Sequence, residues 1–150
     1  MKIAIATDHN GVEEKKVIIE SLKNRGIEII DCSINNNPID DYPDFAISLC
    51  RKIVNKSADL GILMCGTGIG MSIAANKVKG IRCAKVSNLD EARLAKEHNN
   101  ANVIALSYKE DINNLIEWIN TFIDTPFGES ERHIRRINKI TSYEDGTYED

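Results

Sequence analysis

The chain has no cysteine pair at the spacing of a zinc knuckle or a redox dithiol. Its four cysteines, Cys32, Cys50, Cys65 and Cys83, stand apart, with no CxxC and no histidine at zinc-finger distance, which argues against a structural zinc site. Positive charge is not in excess: 19 Lys and Arg face 23 Asp and Glu, a formal net charge of -4. That balance argues against a general nucleic-acid surface and makes any basic site a local one. No apolar run reaches the length of a membrane span. The N-terminus passes from Met1-Lys2 straight into "IAIAT", without the charged head, apolar stretch and small-residue cleavage site of a signal peptide. Internal repeats, low-complexity tracts and linkers are missing too. These absences lead us to expect one soluble, cytoplasmic domain over residues 1–150 with reduced thiols, and no nucleic-acid or membrane partner. A chain of 150 residues, 42% apolar and 28% charged, can bury a full core without disulfides or metals.

What is present is alternation. "KIAIAT" (2–7), "IEIIDC" (27–32), "DLGILMC" (59–65), "IRCAKV" (81–86) and "ANVIAL" (101–106) read as strands. Between them lie helical patterns: Val12, Val17, Ile18 and Leu22 on one face before a C-capping Gly26, a helix near 44–55, and one after the glycine turn ending near 78–80. Asn88 caps "LDEARLAKEH", and a fifth helix covers 111–123. The basic "RHIRRINKI" predicts a C-terminal helix from about 130, followed by a polar, acidic tail with frayed last residues. Short apolar strands alternating with amphipathic helices predict an α/β fold: a Rossmann-like three-layer sandwich with a five-stranded parallel sheet and helices on both faces. Ligands of such sheets sit outside the carboxyl ends of the strands. That rule selects Thr7-Asp8-His9, the Cys65–Gly70 turn, Ser87-Asn88 and the segment after Leu106.

The turn is "GILMCGTGIGMSIAANK" (61–77), a strand that breaks over Gly66, Gly68 and Gly70 into a helix. Free N–H groups and the helix dipole at such a turn can cradle an anion or a developing negative charge. It is neither of two familiar phosphate loops. Counting GxGxxG from Gly66 puts Met71 in the third glycine slot, and no lysine follows as a P-loop requires. Cys65 adds chemistry to the turn. A helix N-terminus favours a thiolate, which can act as nucleophile or proton acceptor. The other reading makes Cys65 a small apolar residue that ends a strand, as Cys32, Cys50 and Cys83 are taken to be.

"CGTGIGMSIAANKVKGIRCA" closely resembles the central motif of the ribose-5-phosphate isomerase B family, which includes the galactose-6-phosphate isomerase subunits. "TDHNG" (7–11), "DYPDFA" (41–46), "KEHNNANVIAL" (96–106) and "RHIRRINKI" (132–140) match further blocks of that family in the same order, so the resemblance spans nearly the whole chain. It implies an aldose–ketose isomerase that interconverts ribose 5-phosphate and ribulose 5-phosphate through an enediolate, in the pentose phosphate pathway, with neither metal nor cofactor. Cys65 then transfers the proton. The amides of Gly66, Thr67, Gly68, Ile69 and Gly70, with the Thr67 hydroxyl, stabilise the enediolate, against a plain turn hydrogen bond for Thr67. His98 becomes the ring-opening acid–base, against a charge at a helix end. Asn99 and Asp8 bind sugar hydroxyls, against capping roles, and Tyr42 lines the pocket, against packing on Pro43. His9, Arg132 and Arg136 hold the phosphate. The two arginines are four residues apart and share a helical face, against a solvated basic helix end.

Departures from the family pattern bear on the sugar. Lys109 stands where arginine is usual, and Ser130-Glu131, preceded by Glu129, where two glycines are usual. Asn100 replaces an aspartate, a change expected to matter little. Met71 replaces the glutamate carried by members that lack the cysteine, and a methionine cannot take a proton. The family's dimers and tetramers place active sites between subunits, so the resemblance implies a homodimer or homotetramer. In it His98, Asn99 and Lys109 act on a neighbour's Cys65 pocket. The alternatives are the same chemistry on allose or galactose 6-phosphate, and a non-catalytic flavodoxin-like binding domain.

Overall fold

The computed structural model describes residues 1–150. The elements alternate as β1 (Lys2–Thr7), α1 (Val12–Asn24), β2 (Glu28–Asp31), α2 (Tyr42–Val54), β3 (Leu60–Cys65), α3 (Ile69–Asn76), β4 (Cys83–Lys85), α4 (Leu89–Glu97), β5 (Val103–Ser107), α5 (Ile112–Asp124) and α6 (Glu131–Glu144). All five strands join one parallel sheet in the order β2-β1-β3-β5-β4. The order turns back between β1 and β3, and that reversal opens a crevice at their carboxyl ends. No helix is long and apolar enough to cross a membrane.

Side-chain alternation along each strand feeds two cores. Ile3 and Ile5 of β1, Ile62 and Met64 of β3, and Ile104 and Leu106 of β5 face one side. There they pack with Ile18 and Leu22 of α1, Ala92 and Ala95 of α4, and Leu115, Trp118 and Phe122 of α5. Ala4, Ala6, Leu63, Cys65, Val103 and Ala105 face the other, against Leu49 and Ile53 of α2 and Met71 and Ala75 of α3. The predicted three layers are therefore present.

Several boundaries differ from expectation. β4 keeps only Cys83–Lys85 of the expected 81–86, because the side chains of Asn102 and Asn76 take the N–H groups of Arg82 and Cys83 at this sheet edge. The buried face of α1 is Lys15, Ile18 and Leu22, while Val17 is 46% exposed. Gly26 lies one residue past the cap, Arg25. α2 begins at Tyr42, two residues early, with Pro43 in its first turn. α6 runs on to Glu144, taking in four residues expected in the tail, and buries only His133.

Candidate active site

At the carboxyl end of β3 the chain must turn from strand to helix within a few residues. Gly68 does this at φ +81, a conformation costly for any residue with a Cβ, and it passes so near β5 that a Cβ would lie 3.2 Å from the Ala105 carbonyl. The turn folds the backbone over the preceding thiol, and the Gly68 N–H donates to Cys65 Sγ at 3.2 Å. Thr67 Oγ1 accepts from the Ile69 N–H at 3.1 Å, so the turn hydrogen bond considered from the sequence does form, and the hydroxyl proton stays free to donate outward. The N–H groups of Gly66, Thr67 and Gly70 have no partner within the chain. Cys65 is 6% exposed under this cradle, and Met71 beside it is fully buried.

β1 delivers the neighbouring wall. The Asp8 N–H donates to the Met64 carbonyl, and Asp8 Oδ1 accepts from the Asn10 N–H at 2.9 Å. Asp8 is therefore not the cap of α1; that position is Gly11, and it has no side-chain cap. His9 is half-buried, and its Nδ1 is buried without a partner. Tyr42 leans over the turn: a Cβ on Gly70 would come within 2.8 Å of its phenolic oxygen. Lys109, two residues past β5, donates its N–H to Ser107 Oγ, whose own hydroxyl donates to the Gly66 carbonyl at 2.8 Å. Asp8, His9, Tyr42, Cys65 to Gly70 and Lys109 thus stand at one end of the sheet.

His98, Asn99, Arg132 and Arg136 stand at the other. α4 starts beside the carboxyl end of β4 and runs back, so its cap, His98, lies near where β5 begins. Val103, where β5 begins, pairs with Gly61, four residue steps of β3 from Cys65, about 13 Å at the rise of a strand. The cap is His98, not Asn99, and the Asn99 carbonyl accepts from Arg82 Nε at 3.0 Å. α6 enters this end after Gly128 donates to the Glu97 carbonyl at 2.8 Å. Arg132 and Arg136 lie on α6 and are exposed. Lys109 is the exception among the three residues expected to act on a neighbour, since in its own chain it stands on the Cys65 side.

Sequence reading missed three residues. His133 is buried and stacks on His98, ring centroids 4.3 Å apart, with its Nδ1 unpartnered. Burial, then the positive charges of His98, Arg132 and Arg136, hold its imidazole below the ordinary histidine range, with Glu97 opposing. Lys15 is 4% exposed, and its Nζ donates to Asp31 Oδ1, the Ser33 carbonyl and Ser33 Oγ. Ser33 Oγ in turn accepts from the Thr7 N–H at 3.0 Å, and Asn36 Nδ2 donates to the Thr7 carbonyl, so this network anchors the strand end that carries Asp8 and His9. Tyr108 sits directly after β5, a position the strand-end rule does select. Clefts open between α4 and α5, beside α6, along α2 and at the end of β2, and Cys65 lines none of these.

The chain matches a family model described as ribose/galactose isomerase over residues 3–140. It is 46% identical over 149 residues to the probable ribose-5-phosphate isomerase B of Mycoplasma genitalium, covering 97% of each chain. Among solved structures it is similar to ribose-5-phosphate isomerase B of Clostridium thermocellum, with a TM-score of 0.92 and 40% identity over 97% of this chain and 99% of that one. It is also similar to the Mycoplasma genitalium structure with bound ribulose-5-phosphate, with a TM-score of 0.90 and 43% identity over 96% of each.

Proposed function

The chain belongs to the ribose/galactose isomerase family, and from that premise we propose that it interconverts ribose 5-phosphate and ribulose 5-phosphate through an enediolate. The observation that carries the reading is the sulfur of Cys65 beneath a turn of unpaired amides, with the Gly68 N–H 3.2 Å away. Cys65 as thiolate takes the proton from C2 of the open aldose. The electron pair of that C–H bond forms the C1–C2 double bond, and negative charge moves to O1. The free amides and the Thr67 hydroxyl stabilise that charge. The thiol then returns its proton to C1 while the O2 proton shifts to O1, leaving the ketone at C2. Asp8 and Asn99 hold sugar hydroxyls, Tyr42 closes one side of the pocket, and His98 opens the ring. His9, Arg132 and Arg136 fix the phosphate and with it the reacting carbons.

The two ends of the sheet must meet for this chemistry, and within one chain they do not. A two-fold dimer joins the carboxyl end of one chain to the amino end of its partner and makes two equal sites. It also supplies the further wall that Cys65 lacks in the single chain. Residues 1–150 form one isomerase domain in this reading, and the four free thiols suit the reducing cytoplasm.

Isomerisation of ribose, allose and galactose phosphates, each with and without chelator, tests the assignment. Ribose 5-phosphate is expected to turn over fastest, and the rate should not depend on chelator. Cys65→Ala is expected to lose at least about three orders of magnitude in kcat with its fold intact by circular dichroism, since proton transfer has no other base. Full activity in that variant would move the base elsewhere.

A further inference from the structure

The segment after β5 carries a residue the mechanism above leaves unused. Ser107 pairs with Cys65 in the β3–β5 register, and the next residue, Tyr108, donates its N–H to the Cys65 carbonyl at 3.2 Å. The pairing therefore runs one step past the strands and carries a phenol into the cradle. The ring packs against Gly11, where a Cβ would lie 3.2 Å from Tyr108 Cβ and Cδ1. The phenolic oxygen faces Gly66: a Cβ there would stand 3.8 Å from it. Ser107 fixes the same turn through its bond to the Gly66 carbonyl. The ionisable groups around the phenol are Asp8, Cys65 and Glu14. Burial first, then the negative charge of these three, pushes the hydroxyl above its ordinary range against a hydrogen bond with the Asn10 side chain, so it keeps its proton at neutral pH.

We propose that Tyr108 is a further catalytic residue of this site, its hydroxyl donating a hydrogen bond to the sugar oxygen that carries the enediolate charge. The proposal rests on the isomerase reading above. A neutral donor held beside the base gains strength as charge builds on that oxygen and adds little to ground-state binding. The phenol neither gains nor loses a proton, so no bond to it is made or broken. Of the hydroxyl-bearing side chains around the turn, Tyr108 is the one whose backbone is bonded to Cys65 itself, so donor and base move together.

Tyr108→Phe keeps the ring on Gly11 and removes the hydroxyl, together with its hydrogen bond to the Asn10 side chain. Steady-state isomerisation of ribose 5-phosphate from pH 6 to 9 is expected to show kcat lower by about tenfold at every pH, with KM within about twofold. Deuterium exchange from solvent into ribulose 5-phosphate is expected to slow by the same factor, and the thermal midpoint to stay unchanged. An active wild type with an equally active Tyr108→Phe overturns this proposal alone. So does a loss carried wholly by KM, or a ratio of rates that varies with pH. A wild type unable to isomerise ribose 5-phosphate overturns the isomerase reading and this proposal with it.

Discussion

The same residue type does different work at different places in one fold. Burial pushes Cys50 and Cys83 up to about 12 and raises Cys32 as well, which keeps these three as thiols at neutral pH. Cys65 is buried too, and it alone has a backbone amide aimed at its sulfur. A protonatable group is also placed with purpose at the other end of the sheet. His133 is held below its ordinary range, so on acidification the unfolded chain takes up this proton before the folded one does. The stability His133 brings is therefore complete above about pH 6.5 and drains away as the pH falls toward its folded value. Thermal midpoints at pH 7.5 and pH 5.5 are expected to drop for the wild type and to drop less for His133→Gln; equal drops would remove His133 from the account. Cys65 was legible in the sequence because a strand, a glycine turn and a helix name their own junction. His133 was not, because nothing in "RHIRRINKI" marks one histidine as stacked on another that is distant in the chain. The partnership is made by the fold, not by local pattern.

At the scale of elements, the fold depends on a charge where the pattern expects an apolar residue. Lys15 occupies the core-facing stripe of α1 beside Ile18 and Leu22, and its ammonium bridges α1 to the end of β2. Lys15→Met takes the ammonium from the Asp31 carboxylate, which keeps only the Ser33 N–H and hydroxyl, and from the Ser33 carbonyl, a change expected to cost about 3 kcal/mol in urea unfolding. Lys15→Arg is expected to recover part of it, and a stability equal to wild type in the methionine variant would show the network to be dispensable. Helical periodicity assigned the face of α1 to Val17 because it weighs hydrophobicity, and a buried ion pair runs against that weighting. Elements bounded by apolar runs were read closely: β1 was expected at its observed bounds, and β3 within one residue. The edge strands β2 and β4 were read too long. Asparagine side chains end β4, and their geometry is tertiary. Asn88, by contrast, caps α4 as expected, its side chain accepting from the Glu91 N–H, because a cap is a local arrangement.

For the whole molecule, alternation of strands and helices was enough to predict three layers, because parallel strands need crossovers and crossovers cover the faces. Strand order is a matter of long-range pairing, and periodicity carries no trace of it. The order decides that β1 and β3 flank the crevice, and the direction of α4 decides that His98 lies far from Cys65 in its own chain. The shared site proposed above would permit complementation. Cys65→Ala and His98→Asn chains, each inactive alone, are expected to recover about a quarter of wild-type activity when unfolded and refolded together in equal amounts. Half the dimers are then mixed, and each mixed dimer has one intact site. No recovery in mixed dimers isolated through an affinity tag on one chain and shown to contain both would place each site within a single chain.

The arm that carries Arg132 and Arg136 has one further consequence. α6 buries a single residue in its own chain and leaves Ile134, Ile140 and Tyr143 open to water. In the proposed assembly the two arginines of the phosphate grip are then lent by one subunit to another, and they are withdrawn when the subunits part. Specific activity would cease to be a constant of the catalyst: dilution below the point of dissociation would silence it, and crowded stock solutions would look more capable than the same molecules spread thin.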